Sequence, residues 1–235
     1  MRCVYCQNSS FSQSGEGREV SERELAEFML VLQEAGCHNI NFVTPTHVLP
    51  QILEALILAI EGGLQIPLVY NTSGYELPEM IRLLEGIVDI YLPDMRYANE
   101  NHAIKYSSAP GYPVYNRDAV KEMFKQVGTA QFDQEGLIKR GLIIRHLVLP
   151  EDIAGSEEIF RFISEEISPD TCISLMSQYF PAFEASGDLK LNRPISLEEY
   201  EKTVELLKHY GLENGWIQES YGLKRFAGTN IKRNI

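Results

Sequence analysis

A chain of 235 residues, 44% apolar and 23% charged, is long enough to bury a substantial core as one α/β domain and is too mixed to be disordered or fibrous. Its net charge of -12 argues against nucleic acid as a partner, because binding a phosphate backbone relies on clustered Lys and Arg that displace counterions. The longest apolar run, 52–60, is broken by Glu54 and falls far short of the roughly 20 residues of a membrane span; with no basic-then-apolar leader, the reading expects no membrane and a cytoplasmic location.

Residues 1–20 are polar, rich in Ser, Gly and Gln, and read as a loop carrying Cys3 and Cys6. Ser21 with Glu24 forms a capping box, Leu25, Phe28, Met29 and Leu32 recur at helical spacing, and Gly36 stops the helix. A strand follows at 39–43, then a helix opening near Pro50 with Ile52, Leu53, Leu56, Ile57 and Ile60 on one stripe and Gly62-Gly63 at its end. Residues 67–70 read as a strand, 78–84 as a short helix and 88–92 as another strand. An excursion over 97–140 holds two helices, near 99–105 and 117–127, and a polar turn at 133–136. Residues 142–149 form the next strand, Ser156 caps a helix carrying Ile159, Phe162 and Ile163, and 171–176 form the fifth strand. Ser196 and Glu199 box the last helix, which buries Leu206 and Leu207 before Gly211. Residues 1–218 then make one domain, and 219–235, basic and containing Gly and Asn, make a mobile C-terminal tail.

Five strands alternating with helices imply a parallel sheet with right-handed crossovers, either an open or partial (β/α) barrel or a doubly wound sheet. No Gly-x-Gly-x-x-Gly follows a strand, which weakens the second. In both, chemistry gathers at the C-terminal ends of the strands. Polar groups stand there in turn: Thr44-Pro45-Thr46-His47, Asn71-Thr72-Ser73-Gly74, Asp94-Met95-Arg96, Arg145 and His146 inside the fourth strand, and Ser177-Gln178-Tyr179. Any one of these is also what a strand-to-helix turn uses for capping; together they line one rim. Asp94 and Arg96, two apart on an extended segment, share a face and suit the ammonium and carboxylate of a zwitterion, with a surface ion pair as the alternative. Arg145 and His146, being adjacent, point to opposite faces, so one of them enters the barrel.

Of the four cysteines, Cys37 and Cys172 stand alone in apolar surroundings and read as core residues. Cys3-Val4-Tyr5-Cys6 fits half a zinc site, a dithiol or part of an iron–sulfur ligand set. Zinc needs two further ligands, and His38, His47, His102, His146 and His209 are scattered. A dithiol of the thioredoxin kind begins a helix after a strand, whereas this pair lies in a polar terminal stretch. The iron–sulfur reading gains.

The segment Met1-Arg2-Cys3-Val4-Tyr5-Cys6-Gln7-Asn8 resembles the end of the radical S-adenosylmethionine (SAM) signature, Cys-x-x-x-Cys-x-aromatic-Cys, as found in pyruvate-formate-lyase-activating-enzyme-like proteins. The resemblance, to an uncharacterised branch of that group, extends over residues 1–218. Its landmarks are Gly36-Cys37-His38-Asn39-Ile40-Asn41-Phe42-Val43-Thr44-Pro45-Thr46-His47, Tyr70-Asn71-Thr72-Ser73-Gly74-Tyr75, Asp89-Ile90-Tyr91-Leu92-Pro93-Asp94, Arg145-His146-Leu147-Val148-Leu149-Pro150 and Leu175-Met176-Ser177-Gln178-Tyr179. It implies a six-stranded partial barrel of which this chain holds strands two to six. The first cysteine of the motif would precede Met1 by two residues, so the reading expects the first strand and first cysteine to lie outside the chain. The alternative is a barrel deficient in cluster that acts as a binding module.

The resemblance further implies that Cys3 and Cys6 supply two of the three thiolates of a 4Fe-4S cluster whose open iron takes the amino and carboxylate groups of S-adenosyl-L-methionine. Tyr5 matches the aromatic near adenine, and Asn8 at the motif's end is counted with the SAM-binding residues. Thr44 and Thr46 occupy the place of the Gly-Gly-Glu-Pro stretch that binds the amino group through backbone atoms. Asn71 and Ser73 match the loop that holds the methionine moiety. Asp94 and Arg96 match an Asp-x-Lys pair, with a bidentate Arg in place of a point charge, and Arg145 or His146 reaches ribose or substrate. The implied activity is reductive cleavage of SAM to a 5'-deoxyadenosyl radical that abstracts a substrate hydrogen. Its implied partners are a flavodoxin- or ferredoxin-type electron donor and, for an activase, a glycyl radical enzyme docking near the 97–140 excursion.

Overall fold

The structure, a computed structural model, describes residues 1–218 and the backbone of Ile231–Asn234. A one-turn helix α1 (Ser9–Ser12) interrupts the N-terminal loop, and α2 (Glu22–Glu34) starts on the capping box of Ser21 and Glu24. Then come β1 (Ile40–Val43), α3 (Leu49–Glu61), β2 (Leu68–Thr72), α4 (Pro78–Arg82), β3 (Ile90–Pro93), α5 (Glu100–Ser107) and α6 (Tyr112–Val127). The second half contains β4 (Gln131–Phe132), β5 (Ile138–Leu147), α7 (Ser156–Phe162), β6 (Cys172–Met176), α8 (Leu197–His209), β7 (Gly215–Gln218) and β8 (Ile231–Asn234). Among the described residues no helix is long and apolar enough to cross a membrane.

The strands lie in the order β1-β2-β3-β5-β6-β7-β8, and every neighbouring pair from β1 to β7 is parallel. Because this order follows the chain without reversal, successive right-handed crossovers land their helices on the same face. That is the winding of a partial barrel, not of a doubly wound sheet. Alternation along the strands separates two faces. Ile40, Leu68, Tyr70, Tyr91, Leu142, Ile144, Ile173 and Leu175 share the helix-covered face and pack with Met29, Ala55, Val120, Met123 and Phe160. On the open face stand Asn41, Val43, Asn71, Leu92, Arg145 and Ser174, and Val43 at the edge strand is 63% exposed.

Several boundaries differ from the sequence reading. Six parallel strands are present instead of five: β7 was missed because it is four residues long and opens on Gly215. A Cβ there would lie 2.0 Å from the Ile173 carbonyl oxygen, so glycine is what lets β7 close on β6. The turn at 133–136 joins β4 to β5 as a hairpin, which starts β5 at Ile138. Helix α6 starts at Tyr112, behind Gly111, and Gly155, not Ser156, occupies the N-cap of α7. Cys172 is buried as expected, whereas Cys37 is only half-buried. Of the expected tail, 231–234 pairs antiparallel with β7 and so covers the edge that β6 leaves open; 219–230 and 235 lie outside the described residues.

Candidate functional site

The cysteine segment is tied to the end of α5. Arg2 and Val4 donate backbone N–H bonds to Ser107 O (2.8 Å) and Tyr106 O (2.9 Å), and Cys6 N closes a tight turn on Cys3 O (3.1 Å). The Cys3 sulfur is buried and accepts from Ser107 Oγ (3.1 Å) and Arg96 Nη1 (3.5 Å), while Cys6 Sγ lies 3.2 Å from Ser12 Oγ on α1. Ser107 Oγ is also 2.7 Å from Tyr97 OH, which is 2.5 Å from Tyr5 OH. Each hydroxyl has one proton. With Ser107 donating to sulfur, Tyr97 donates to Ser107 and Tyr5 to Tyr97, a buried chain of donors that ends on Cys3.

Tyr5 is 3% exposed, its ring edge-on to Tyr179 at 5.8 Å, and burial raises its pKa. The sequence reading sets Tyr5 near an adenine; in the structure its ring packs edge-on to Tyr179 and its hydroxyl pairs with Tyr97. Asn8 is exposed, and only its carbonyl is engaged, by the N–H groups of Phe11 and Ser12.

At the rim, Asp94 Oδ2 takes Arg96 Nε (3.1 Å) and Nη2 (2.5 Å). Arg145 Nε stands 3.2 Å from Asp94 Oδ1, close enough for an ion pair but outside hydrogen-bond geometry, so Oδ1 remains without a hydrogen-bond partner. Arg145 Nη1 also donates to Asn71 Oδ1 at 2.9 Å. Burial works against the charge on Arg96, but Asp94 and then Cys3 outweigh it and keep the guanidinium protonated. Asn71, Arg145, Asp94, Arg96 and Cys3 thus form one continuous string from β2 to the cysteine segment. It holds two guanidiniums against one carboxylate, a surplus suited to a ligand carboxylate.

Tyr112 OH fastens this rim, accepting from Arg96 N (3.0 Å) and directed at Ser73 O (2.9 Å) and Asp94 O (3.1 Å). Gly74 has φ +71, and a Cβ there would sit 2.6 Å from Asp94 O, so the loop after β2 presses on the end of β3 through a glycine. Thr44 takes a left-handed conformation (φ 52, ψ 51) with its N–H on Asn71 O at 2.7 Å. Thr46 Oγ1 bonds Glu76 Oε1 at 2.6 Å.

His146, next to Arg145, is not brought to the string. It is fully buried on the helix-covered face, with Nδ1 2.8 Å from Met95 O, Nε2 3.0 Å from Ser156 Oγ and its ring 5.1 Å from Phe160. Burial lowers its pKa, so the neutral imidazole bridges β5, the segment after β3 and α7. Of the two strand neighbours, Arg145 faces the site. Sequence reasoning missed Glu76, Tyr97 and Ser107; the one signal for Glu76 was its position four residues after Thr72 in a polar loop.

Cys3 and Cys6 are soft sulfur donors, and Cys3 accepts hydrogen bonds from Ser107 and Arg96, a setting that suits iron–sulfur chemistry. Among the described residues no three Cys, His, Asp or Glu side chains gather as a metal site, so the closed four-ligand zinc alternative has no support here. The donor set fits two cluster ligands.

Residues 1–163 match the sequence profile of the family described as "Radical SAM superfamily". The chain is 31% identical over 222 residues to Uncharacterized protein MJ0674 of Methanocaldococcus jannaschii, a match covering 90% of this chain and 60% of that protein.

Proposed function

The chain belongs to the radical SAM superfamily, whose members use a 4Fe-4S cluster, S-adenosylmethionine and an electron donor, and on that premise we propose that it cleaves SAM reductively and aims the resulting radical at a substrate hydrogen. The observation that carries this reading is the continuous string from the Cys3 sulfur through Arg96 and Asp94 to Arg145 and Asn71, which joins a cluster ligand to groups suited to an amino acid zwitterion. Cys3 and Cys6 would supply two of the thiolates that hold the cluster. When bound, the cluster supplies one electron to the sulfonium of SAM, breaking a carbon–sulfur bond to leave methionine and a 5'-deoxyadenosyl radical.

The chain's own residues bind and orient. Arg96 and Arg145 grip the carboxylate, Asp94 holds both guanidiniums in place, and Asn71 with Ser73 supports the methionine portion. The carbonyls of Thr44 and Thr46 face the same ligand, and Asn8 closes the cysteine loop beside it. Tyr5 acts as an anchor for that loop through Tyr97. His146 acts at one remove, holding the Met95 carbonyl and so the segment between Asp94 and Arg96.

The finer assignment is an activating-enzyme-like member, residues 1–218 forming its catalytic domain, reduced by a flavodoxin or ferredoxin and acting on a glycyl radical enzyme. The likeness of the cysteine motif and of the strand-end segments supports it. Because the chain spans 60% of the relative's length, substrate and partner rest on this proposal alone. A second reading, a cluster-deficient binding barrel, is favoured by the two-thiol donor set among the described residues. Anaerobic iron–sulfide reconstitution followed by dithionite and SAM separates them: 5'-deoxyadenosine supports the enzyme, and none from a fully loaded protein overturns it.

A further inference from the structure

Two side chains one turn apart on α6 clamp the loop after β2 to the end of β3. Tyr112 and Asn116, four residues apart, share a face of the helix. Tyr112 OH lies 2.9 Å from Ser73 O and 3.1 Å from Asp94 O, and it accepts from Arg96 N at 3.0 Å. Asn116 Nδ2 donates to Gly74 O at 3.2 Å and to Asp94 O at 2.9 Å. The proton count divides the work between them. Tyr112 has one hydroxyl proton for two carbonyls, whereas the Asn116 amide nitrogen has two protons. With Asn116 serving Asp94 O, the Tyr112 proton is free for Ser73 O, and all three carbonyls are satisfied.

Asn116 holds this place at a cost. The residue is 1% exposed and its Oδ1 is buried without a hydrogen-bond partner, a penalty that a leucine of similar size would avoid. What the amide contributes is its two donors. The loop is shaped around them: Gly74 has φ +71, and a Cβ on it would stand 2.1 Å from Asn116 Nδ2. On the other side of the clamp the backbone from Asp94 to Arg96 is bonded at successive groups. Asp94 N donates to Thr72 O (2.8 Å) and Met95 N to Arg145 O (2.9 Å), Met95 O faces His146, and Arg96 N donates to Tyr112. Asn116 completes the set at Asp94 O. Its amide bonds two main-chain carbonyls, so it acts on the Asp94 carboxylate and the Arg96 guanidinium through the backbone that carries them.

We infer that Asn116 is a positioning residue for the SAM site: from α6 it sets the spacing between the loop carrying Asn71 and Ser73 and the Asp94–Arg96 pair, and with it the fit of the guanidiniums to the ligand carboxylate. This rests on the SAM-cleaving reading above. SAM binding is measured by equilibrium dialysis on the anaerobically reconstituted full chain, with cluster iron matched across variants and at a temperature where circular dichroism shows each of them folded. In Asn116→Leu, which keeps the bulk and removes both donors, the SAM dissociation constant should rise about 10-fold, equivalent to about 1.4 kcal/mol. Leu207→Ala, which opens a cavity at α8, a helix that supplies no bond to the clamp, lowers stability and should bind SAM as the wild type does. Asn116→Asp, which keeps the shape but offers at most one O–H, should fall between the wild type and Asn116→Leu, and it serves if the Leu variant fails to fold. A folded Asn116 variant that binds SAM as tightly as the wild type overturns the inference and leaves Asn116 a core residue. A Leu207→Ala that weakens SAM as much as Asn116→Leu also overturns it, since the loss would then follow stability alone. In both cases the wild type still binds SAM and the SAM reading stands; a wild type that binds no SAM removes that reading and this one together.

Discussion

Arg145 and His146 are neighbours on β5, yet one looks onto the open face of the sheet and the other onto the face covered by helices. On the covered face His146 has both ring nitrogens matched and its ring packed, so nothing remains for a ligand. On the open face Arg145 is partly exposed and shares Asp94 with Arg96, while Asp94 Oδ1 and, at the rim, Glu76 Oε2 still lack hydrogen-bond partners. Burial alone therefore does not mark a functional polar group. A buried group whose bonds close within the fold stabilises it; one at the rim with capacity left over has a bond to offer a ligand.

The comparison is broken most severely at Asp94. Asp94→Ala leaves Arg96 and Arg145 together without their counter-charge, so urea denaturation should show a loss of about 3 kcal/mol and SAM binding should fail. A variant that keeps both stability and affinity would mean the string is incidental. His146→Leu strips the partners from Met95 O and Ser156 Oγ and should cost about 2 kcal/mol while weakening SAM binding far less than Asp94→Ala does. The reverse pattern would place His146 with the site.

The same residue sharpens the contrast through pH. Burial lowers the folded pKa of His146 below its ordinary value of 6.5. Its contribution is therefore present above about 6.5 and lost as pH falls below that, when the unfolded chain takes up the proton first. Thermal melts from pH 7 to 5 should show this slope in the wild type and a flatter one in His146→Leu. Glu199, held by Arg193 at about 2, adds a separate loss only as pH drops below the ordinary Glu value of 4.5. The smallest effect is expected at Ser107. Ser107→Ala removes a donor from the Cys3 sulfur and should cost about 1 kcal/mol; in the reconstituted protein the cluster potential should move to more negative values, since hydrogen bonds to sulfur favour the reduced state. An unmoved potential would reduce the Tyr5–Tyr97–Ser107 chain to packing.

Much of the fold was legible because its signals are local. The capping boxes of α2 and α8 and the apolar stripe of α3 depend on residues three or four apart, and the structure contains them. Strand β7 was not legible, because Gly215 reads as a breaker until the approach to Ile173 is known. At the site, strand alternation already separated Arg145 from His146, but which of them faces the ligand depends on where the helices lie. Tyr5 meets Tyr97 across a separation of 92 residues and Thr46 meets Glu76 across 30, so no window of sequence contains those pairs. The resemblance located the cysteines and the rim loops; it carried no information on which polar atoms would remain unmatched.

The central claim is that the cysteine segment and the Asp94–Arg145 string form one site for SAM. Electron paramagnetic resonance of the reduced, reconstituted chain, recorded as SAM is added, reads this directly. The account predicts that SAM alters the cluster spectrum of the wild type and that Asp94→Ala abolishes the change. A wild-type spectrum indifferent to saturating SAM would contradict it.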